Sequence, residues 1–459
     1  MTRVLLRIMA AALLLVVSGL ICWRVLAPAE LSASARTPTP PTPSTMLHGV
    51  TSRLNVAPLV VDGTVRVYAA KHQVRADGPV TARAVYTARW SFRRWPEQLS
   101  AVVASGTTVV TRWSDGKLVA IDARNGTEIW RADGPDAPGY AGHRTGATAV
   151  WNPPGLRAAA GTVVVTEGQT LSGYAVSTGQ SIWTTTVPPG CVDGFTTGTG
   201  AYLCATGAYD TSTGAALTGW PAAPYTPVGC ETEGCAAFRD AAGQGWLVTP
   251  AEPRRVPALD DPLATLVAGT VITASSSQSD LPSPSGSPMV TPGPDASAAT
   301  PPASGASEAT LSPGASEATL SPGASAATAS TTVVPPMLPA GDSPSSFFAA
   351  VAGRTVDGAA LWTTPGPARV LGGDAGVVLL LRPDNTLDGV DALTGALRFS
   401  YPLLYGPDKE DTLDWKPGLY HVTDGFLAVE RLNRDAPDDP ESPIYYLTLD
   451  TVLLVALPG

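Results

Sequence analysis

The sequence predicts an all-β fold, a β-propeller of eight blades or seven, preceded by one transmembrane helix. Three observations predict it. From Leu54 onward, short β-branched runs alternate with Gly-containing turns, the mark of an all-β sandwich, barrel or propeller. One template recurs along the chain, which favours a propeller over the competing sandwich. An apolar run near the N-terminus has the length of a membrane span.

That run covers residues 8–26, and Arg3 and Arg7 precede it. About 20 apolar residues cross a bilayer as a helix, and the arginines should hold residues 1–7 in the cytoplasm. The rest of the chain then lies outside. A cleaved signal peptide is the competing reading, because Ser32 to Ala35 offers small residues for a peptidase. Cys22 follows Ile21, which is not the small residue a lipoprotein signal carries. Residues 27–53 are rich in Pro, Thr and Ser and read as an extended stalk. The propeller is expected over 54–459, interrupted at 275–346.

Four segments share the template. In 116–130, Asp122 is followed by Gly126 and then Trp130. In 171–183, Gly179 leads to Trp183. In 387–399, Asp391 and Gly395 lead to Phe399. A degenerate copy holds Asp210 and Gly214, and a fragment over 357–362 keeps the glycine-to-Trp362 spacing. The physics is readable. A strand ends, Thr-Gly or Asn-Gly makes the tight turn, and a second strand ends in an aromatic that can cover the next repeat. One such hairpin cannot bury both faces, so repeats must stack. Eight units can be marked, at 55–92, 99–132, 156–186, 193–220, 228–257, 264–364, 368–401 and 418–457.

The pattern Ala-x-Asp-Ala-x-Thr-Gly-x-x-x-Trp resembles the tryptophan-docking repeat of PQQ-like, quinoprotein-type propellers. That family holds quinoprotein dehydrogenases and a non-enzymatic, BamB-like envelope branch; this sequence looks like a membrane-anchored bacterial form of the latter. The dehydrogenase branch implies pyrroloquinoline quinone, a vicinal Cys-Cys disulfide and a Glu, Asn and Asp set for Ca²⁺. No adjacent cysteines are present here, and no calcium set can be matched residue by residue. The resemblance therefore carries the fold and not the redox reaction. No cofactor, metal or catalytic residue is assigned.

Cys191, Cys204, Cys230 and Cys235 are an even number in an exported setting, which reads as two disulfides. Nearest-neighbour pairing is the first choice among three connectivities. A zinc site would need tighter knuckles. The four histidines (His48, His72, His143, His421) sit in no Gly-x-Ser-x-Gly or His-Glu-x-x-His context. His421 reads as a satisfied sheet histidine. Two acidic groups, Asp408/Glu410/Asp411/Asp414 and Asp435/Asp438/Asp439/Glu441, read as solvated loops before calcium ligands. The net charge of -10 argues against a nucleic-acid partner.

Strand alternation puts the Thr-Gly turns on one face of a propeller and the between-blade connectors on the other. Four long segments map to that connector face: 133–154, 402–417, 275–346 and 431–443. Segment 133–154 mixes Tyr140, His143, Arg144 and Trp151, types enriched at binding hot spots. These four are the expected partner-binding residues. The expected function is a non-catalytic extracytoplasmic scaffold that binds an envelope protein or wall component, with the cytoplasmic membrane as its anchor. The competing classes are an envelope oxidoreductase, dependent on the quinone or a metal, and a spacer without a ligand.

Segment 275–346 is Ser, Pro, Ala, Thr and Gly with few large side chains, and contains a nine-residue repeat. Such composition cannot build a core. Deleting residues 279–331 should leave the melting temperature within a few degrees, because no large apolar area is lost. A collapse in a thermal melt would show that the segment packs.

Overall fold

Each Thr-Gly turn closes an antiparallel hairpin, and the hairpins assemble into antiparallel sheets. A computed structural model describes residues 9, 12–20, 28–35, 48–82, 88–191, 193–231, 234–275, 347–403, 415–437, 439–447 and 450–458. The first sheet runs Leu59–Val61, Val65–Ala70, Gln73–Asp77 and Ala88–Trp95. The second runs Leu99–Ser105, Thr108–Trp113, Lys117–Asp122 and Glu128–Asp133. The third runs Leu156–Ala159, Thr162–Glu167, Thr170–Ala175 and Ser181–Thr186. Three strands, Phe195–Thr196, Ala201–Cys204 and Gly207–Asp210, make the fourth. The fifth spans Thr226–Glu231 to Arg254–Arg255. A seven-stranded sheet follows, from Thr265–Val267 to Leu397–Pro402. The last joins Trp415–Thr423, Phe426–Asn433 and Val452–Ala456 to Gly49–Leu54. Within it Leu54 faces Val452 and Gly49 faces Ala456, so the two ends of the chain close the ring. All these strands belong to one compact unit, residues 1–277 and 335–459. It is an all-β propeller and not a two-sheet sandwich.

Six sheets of four or more strands and one of three stand where eight separate blades were expected. Two local causes explain the difference. Strand Ala360–Asp374 runs unbroken for 15 residues. Its first half pairs with Phe348–Arg354 and its second with Val377–Leu381, which joins two expected units in one sheet. In the fourth sheet, the chain after Asp210 makes a single bridge, Tyr209 to Ala216.

The N-terminal expectations change too. Among the described residues no helix is long and apolar enough to cross a membrane. Of the expected span, residues 9 and 12–20 are described and helical; the remainder lies outside the described residues. The stalk reading is corrected at both ends. Ala29–Ser34 is a fifth strand on the first sheet, antiparallel to Ala88–Trp95, with Ser34 opposite Trp90. Arg131 grips Glu30 through two bonds of 2.9 and 2.6 Å, and Arg94 Nε lies 3.4 Å from the same carboxylate. Gly49–Leu54 is the outer strand of the last sheet. The insert, from residue 276 to 346, and the acids Asp408, Glu410, Asp411, Asp414 and Asp438 lie outside the described residues.

One contact recurs between neighbouring repeats. Trp130 Nε1 donates to Val176 O at 2.6 Å, and Trp183 Nε1 to Thr211 O at 2.9 Å. Trp362 Nε1 donates to Ala392 O at 2.8 Å, and Trp90 Nε1 to Ala123 O at 2.7 Å. Each acceptor lies three residues before the turn glycine of the following repeat: Gly179, Gly214, Gly395 and Gly126. Asp122, Asp210 and Asp391 pre-form the turn by accepting backbone N–H bonds from Arg124, Thr213 and Thr394 at 2.8, 2.9 and 2.8 Å. Phe399 departs from its expected role. It has no N–H to give and lies against Gly389 of its own sheet. Tyr401, stacked on it at 4.9 Å, donates to Ala456 O at 3.1 Å instead.

Gly179 has φ +69° and a Cβ there would overlap the Trp130 ring. Gly168 has φ +54° with open space around it. Gly179→Ala should therefore cost about 2–4 kcal/mol, from left-handed strain plus overpacking. Gly168→Ala should cost about 1–2 kcal/mol from strain alone. Urea melts of the two variants check the difference; equal losses would show that the ring does not press on the turn.

Candidate functional site: the central channel

The first strands of successive sheets line a central cavity of about 560 Å³. Val60, Val103, Ala158, Phe195 and His421 all reach it. Its two ends differ. On the connector face, segment 133–154 folds inward and ends in a short helix, Ala147–Trp151, with Ala147, Ala149, Val150 and Trp151 buried. Ala57 N–H donates to Thr145 O at 2.8 Å, and Trp151 Nε1 donates to Pro58 O at 2.8 Å. The Trp151 ring stacks on His421 at 6.3 Å. This end is plugged by the chain itself.

The plug consumes the expected partner-binding residues. Trp151 is 4% exposed. Tyr140 is partly buried; its hydroxyl donates to Ala69 O at 3.3 Å and its N–H to Gln98 Oε1 at 3.1 Å. His143 and Arg144 remain exposed, but His143 pairs with Glu441 at 2.5 Å and Arg144 lies over the Tyr446 ring at 5.9 Å. Sequence reasoning placed these residues on one loop; the structure turns the two aromatics inward.

On the opposite, Thr-Gly face the channel has an exposed mouth. It is built from the turns between first and second strands, including Asp62, Gly106, Ala160 and Asp424. A neighbouring cavity of about 420 Å³ shares Gly198, Glu231, Gly234 and Asp424 with the first and adds Asp374. Several of these turns hold two successive residues at positive φ: Asp62–Gly63, Ala160–Gly161, Ala268–Gly269 and Asp424–Gly425. That is the primed hairpin geometry. Its sequence signal is a second glycine series, one residue before a Thr-Val or similar pair, which the Thr-Gly template did not include.

The mouth is acidic. Asp424 Oδ2 accepts from Gly63 N–H at 3.3 Å, and Arg124 pairs with Asp62. Burial raises the Asp374 carboxyl, with the Asp424 charge adding to it. Burial also raises Asp424, against the backbone bonds that favour its ionised form. Cys230 and Cys235 face each other across the hairpin at this mouth and are bridged. Cys191 and Cys204 form the second disulfide, so the nearest-neighbour pairing is the one observed and the zinc reading falls.

His421 differs from its expected role. Burial pushes its imidazole down to about 4, so it is neutral at pH 7, and its Nε2 has no hydrogen-bond partner among the described residues. Among the described residues no group of three His, Cys, Asp or Glu is placed to hold a metal ion.

A propeller with a self-plugged channel, tryptophan docking and an acidic mouth is the class of protein these features define. A family model described as outer membrane protein assembly factor BamB matches residues 17–148. Over those residues the chain is similar to PQQ-like β-propellers. BamB from Moraxella catarrhalis is 14% identical, with 90% of this chain and 99% of that chain covered and a TM-score of 0.40. A quinohemoprotein alcohol dehydrogenase from Pseudomonas putida is 13% identical, covering 90% and 76%, with a TM-score of 0.41. No curated protein matches the chain.

Glu430, 2% exposed, supports the plug from the last sheet. It accepts from Leu419 N–H at 3.1 Å and from the Thr145 hydroxyl. Burial pushes its carboxyl up to about 7. The folded state thus holds a proton that the unfolded state releases near pH 4.5, and this stability is lost as pH rises toward 7 and beyond. Glu430→Gln should match wild type at pH 5 and exceed it at pH 8 by on the order of 2–3 kcal/mol. Urea midpoints across that range check it; parallel profiles would show that Glu430 titrates normally.

Proposed function

We propose that this chain is a non-catalytic binding propeller of the bacterial envelope, held outside the cytoplasmic membrane by residues 8–26. Its channel mouth receives a cationic segment of a protein partner. One observation carries the reading: the plug at Ala147–Trp151 closes the connector face, and the remaining mouth presents Asp62, Glu231, Asp374 and Asp424. This moves the binding face from the long loops to the Thr-Gly turns. Carboxylates on a rigid rim steer a basic partner and set its register more than they add raw affinity. Two disulfides support an oxidising compartment. Arg3, Arg7 and the apolar run support the anchor and its direction.

The full chain should stay in the pellet when membranes are washed with carbonate. Crosslinking those membranes should recover a partner with the wild-type chain. Asp374→Asn combined with Asp424→Asn should cut recovery about tenfold, the effect of roughly 1.4 kcal/mol, and added salt should cut it in wild type. Equal recovery by the double variant sinks the mouth reading, and release by carbonate sinks the anchor. A saturable absorbance change on titration with pyrroloquinoline quinone and Ca²⁺ would turn the assignment to an oxidoreductase.

A further inference from the structure

Strand Ser181–Thr186 is the outermost strand of the third sheet, paired with Thr170–Ala175 on one side. Its sequence is Ser-Ile-Trp-Thr-Thr-Thr, four β-branched residues with no charge and no proline. Folded proteins ordinarily blunt such edges with charges, prolines or short strands. The other outer strands here follow that rule. Glu128–Asp133 carries Glu128, Arg131 and Asp133, and Arg254–Arg255 is two arginines. Leu397–Pro402 carries Arg398 and a terminal proline, and Gly49–Leu54 carries Arg53. The outer half of Ala360–Asp374 is uncharged and carries Pro365 and Pro367.

The fold itself shows that an outer strand in this position accepts another strand, there on an edge that carries Arg89, Arg93 and Arg94. Ala88–Trp95 holds the equivalent position in the first sheet, since Trp90 and Trp183 make the same docking bond. It carries Ala29–Ser34 as an added antiparallel strand, and Ala35 N–H donates to Arg89 O at 2.6 Å. Small residues sit opposite the tryptophan: Ser34 faces Trp90. Among the described residues the outer edge of the third sheet is unpaired, and its backbone groups are laid out for a strand addition. Val187 N–H donates to Gln169 O at 2.8 Å. Antiparallel bonds alternate, so Trp183 and Thr185 bond inward and the backbone groups of Thr184 and Thr186 point outward. Ile182 is 49% exposed beside them.

We propose that the edge of Ser181–Thr186 is a docking site for an extended, uncharged, β-branched segment of a partner protein, which adds antiparallel as a fifth strand with a small residue opposite Trp183. This mode of recognition takes affinity from main-chain bonds and specificity from alternate side chains. It goes beyond the channel-mouth reading and does not depend on it, because the edge and the mouth share no residue. An extended segment fits better than a second copy, because the occupant of the equivalent edge is itself an extended segment.

The probe is a fluorescein-labelled, capped hexapeptide, Val-Thr-Val-Ser-Val-Thr, titrated into the full chain and read by fluorescence polarisation. Wild type, Thr184→Val and the Asp374→Asn/Asp424→Asn variant should bind it saturably and alike. Thr184→Pro removes an outward N–H while leaving the inward ladder, and should weaken binding at least about tenfold, as proline does on a sheet edge. If Thr184→Pro melts early, Thr186→Lys serves instead, since a charge blunts an edge without touching the backbone. Hydrogen exchange at Thr184 and Thr186 should slow when the peptide is present. No saturable binding by wild type overturns the proposal, as does equal binding by folded Thr184→Pro and Thr186→Lys. A wild-type dimer that Thr184→Pro abolishes would assign the edge to a second copy and overturn it as well.

Discussion

The docking of Trp90, Trp130, Trp183 and Trp362 on the turn of the next repeat ties neighbouring repeats of this propeller together. The ring of Trp183 lies between Gly173 of its own sheet and Gly214 of the next, and Trp362 lies between Gly353 and Gly395. No Cβ fits at any of these four positions. The indole N–H is also committed to a carbonyl three residues before the turn glycine. A large apolar surface and a directional bond thus act at one point, which is why aromatic rings with a polar handle suit it. The distance between adjacent sheets follows from the thickness of a ring.

Buried arginines hold the connectors to this frame. Arg112 Nη1 donates to Gly155 O and Thr166 O at 2.9 and 3.0 Å, and its Nη2 to Asp136 O at 2.8 Å. Arg239 donates to Leu259 O at 2.7 Å and Asp261 O at 2.6 Å. Burial lowers both guanidinium groups, yet neither can deprotonate in practice. Backbone carbonyls at the ends of connectors meet the cost, since an unmet buried donor is expensive. The plug uses the same economy. Thr145, Trp151 and Tyr140 reach backbone carbonyls or the buried Glu430 carboxyl, so segment 133–154 closes the channel with no ion pair buried in it.

Much of this was legible in the sequence, for a physical reason. A turn that needs positive φ at a fixed place must be glycine or a close substitute, so Gly126, Gly179, Gly214 and Gly395 announce themselves. The cysteine pairs were legible because short loops leave few geometries. Trp90 was missed because its own repeat has no Thr-Gly turn before it. Ala29–Ser34 was read as stalk because strand addition at an edge needs backbone groups and hardly any side-chain signal. Tyr140 and Trp151 were placed at a surface because hot-spot composition and buried plug composition are the same composition; only Pro58 and Ala69, far away in sequence, decide between them. The joining of two units through Ala360–Asp374 was hidden for a related reason. Pro365, Gly366 and Pro367 read as a break, and the strand passes through them.

The same docking contact bears on what the propeller can bind. Recognition by strand addition loses affinity when the receiving edge must first be ordered. Strand Ser181–Thr186 is ordered in advance, because Trp183 at its centre is clamped between two glycines and bonded to Thr211 O. The rim turns at the mouth are likewise fixed by paired positive-φ residues such as Asp424–Gly425, so their carboxylates are held in place without a ligand. The two surfaces then differ in physics and not in rigidity. Charge at the mouth acts across water and is screened beyond a Debye length of about 8 Å at physiological salt. Backbone bonds at the edge act only in contact, each adding about 1 kcal/mol net, and are far less sensitive to salt. A partner segment rich in lysine is suited to the first surface, and an uncharged extended segment to the second.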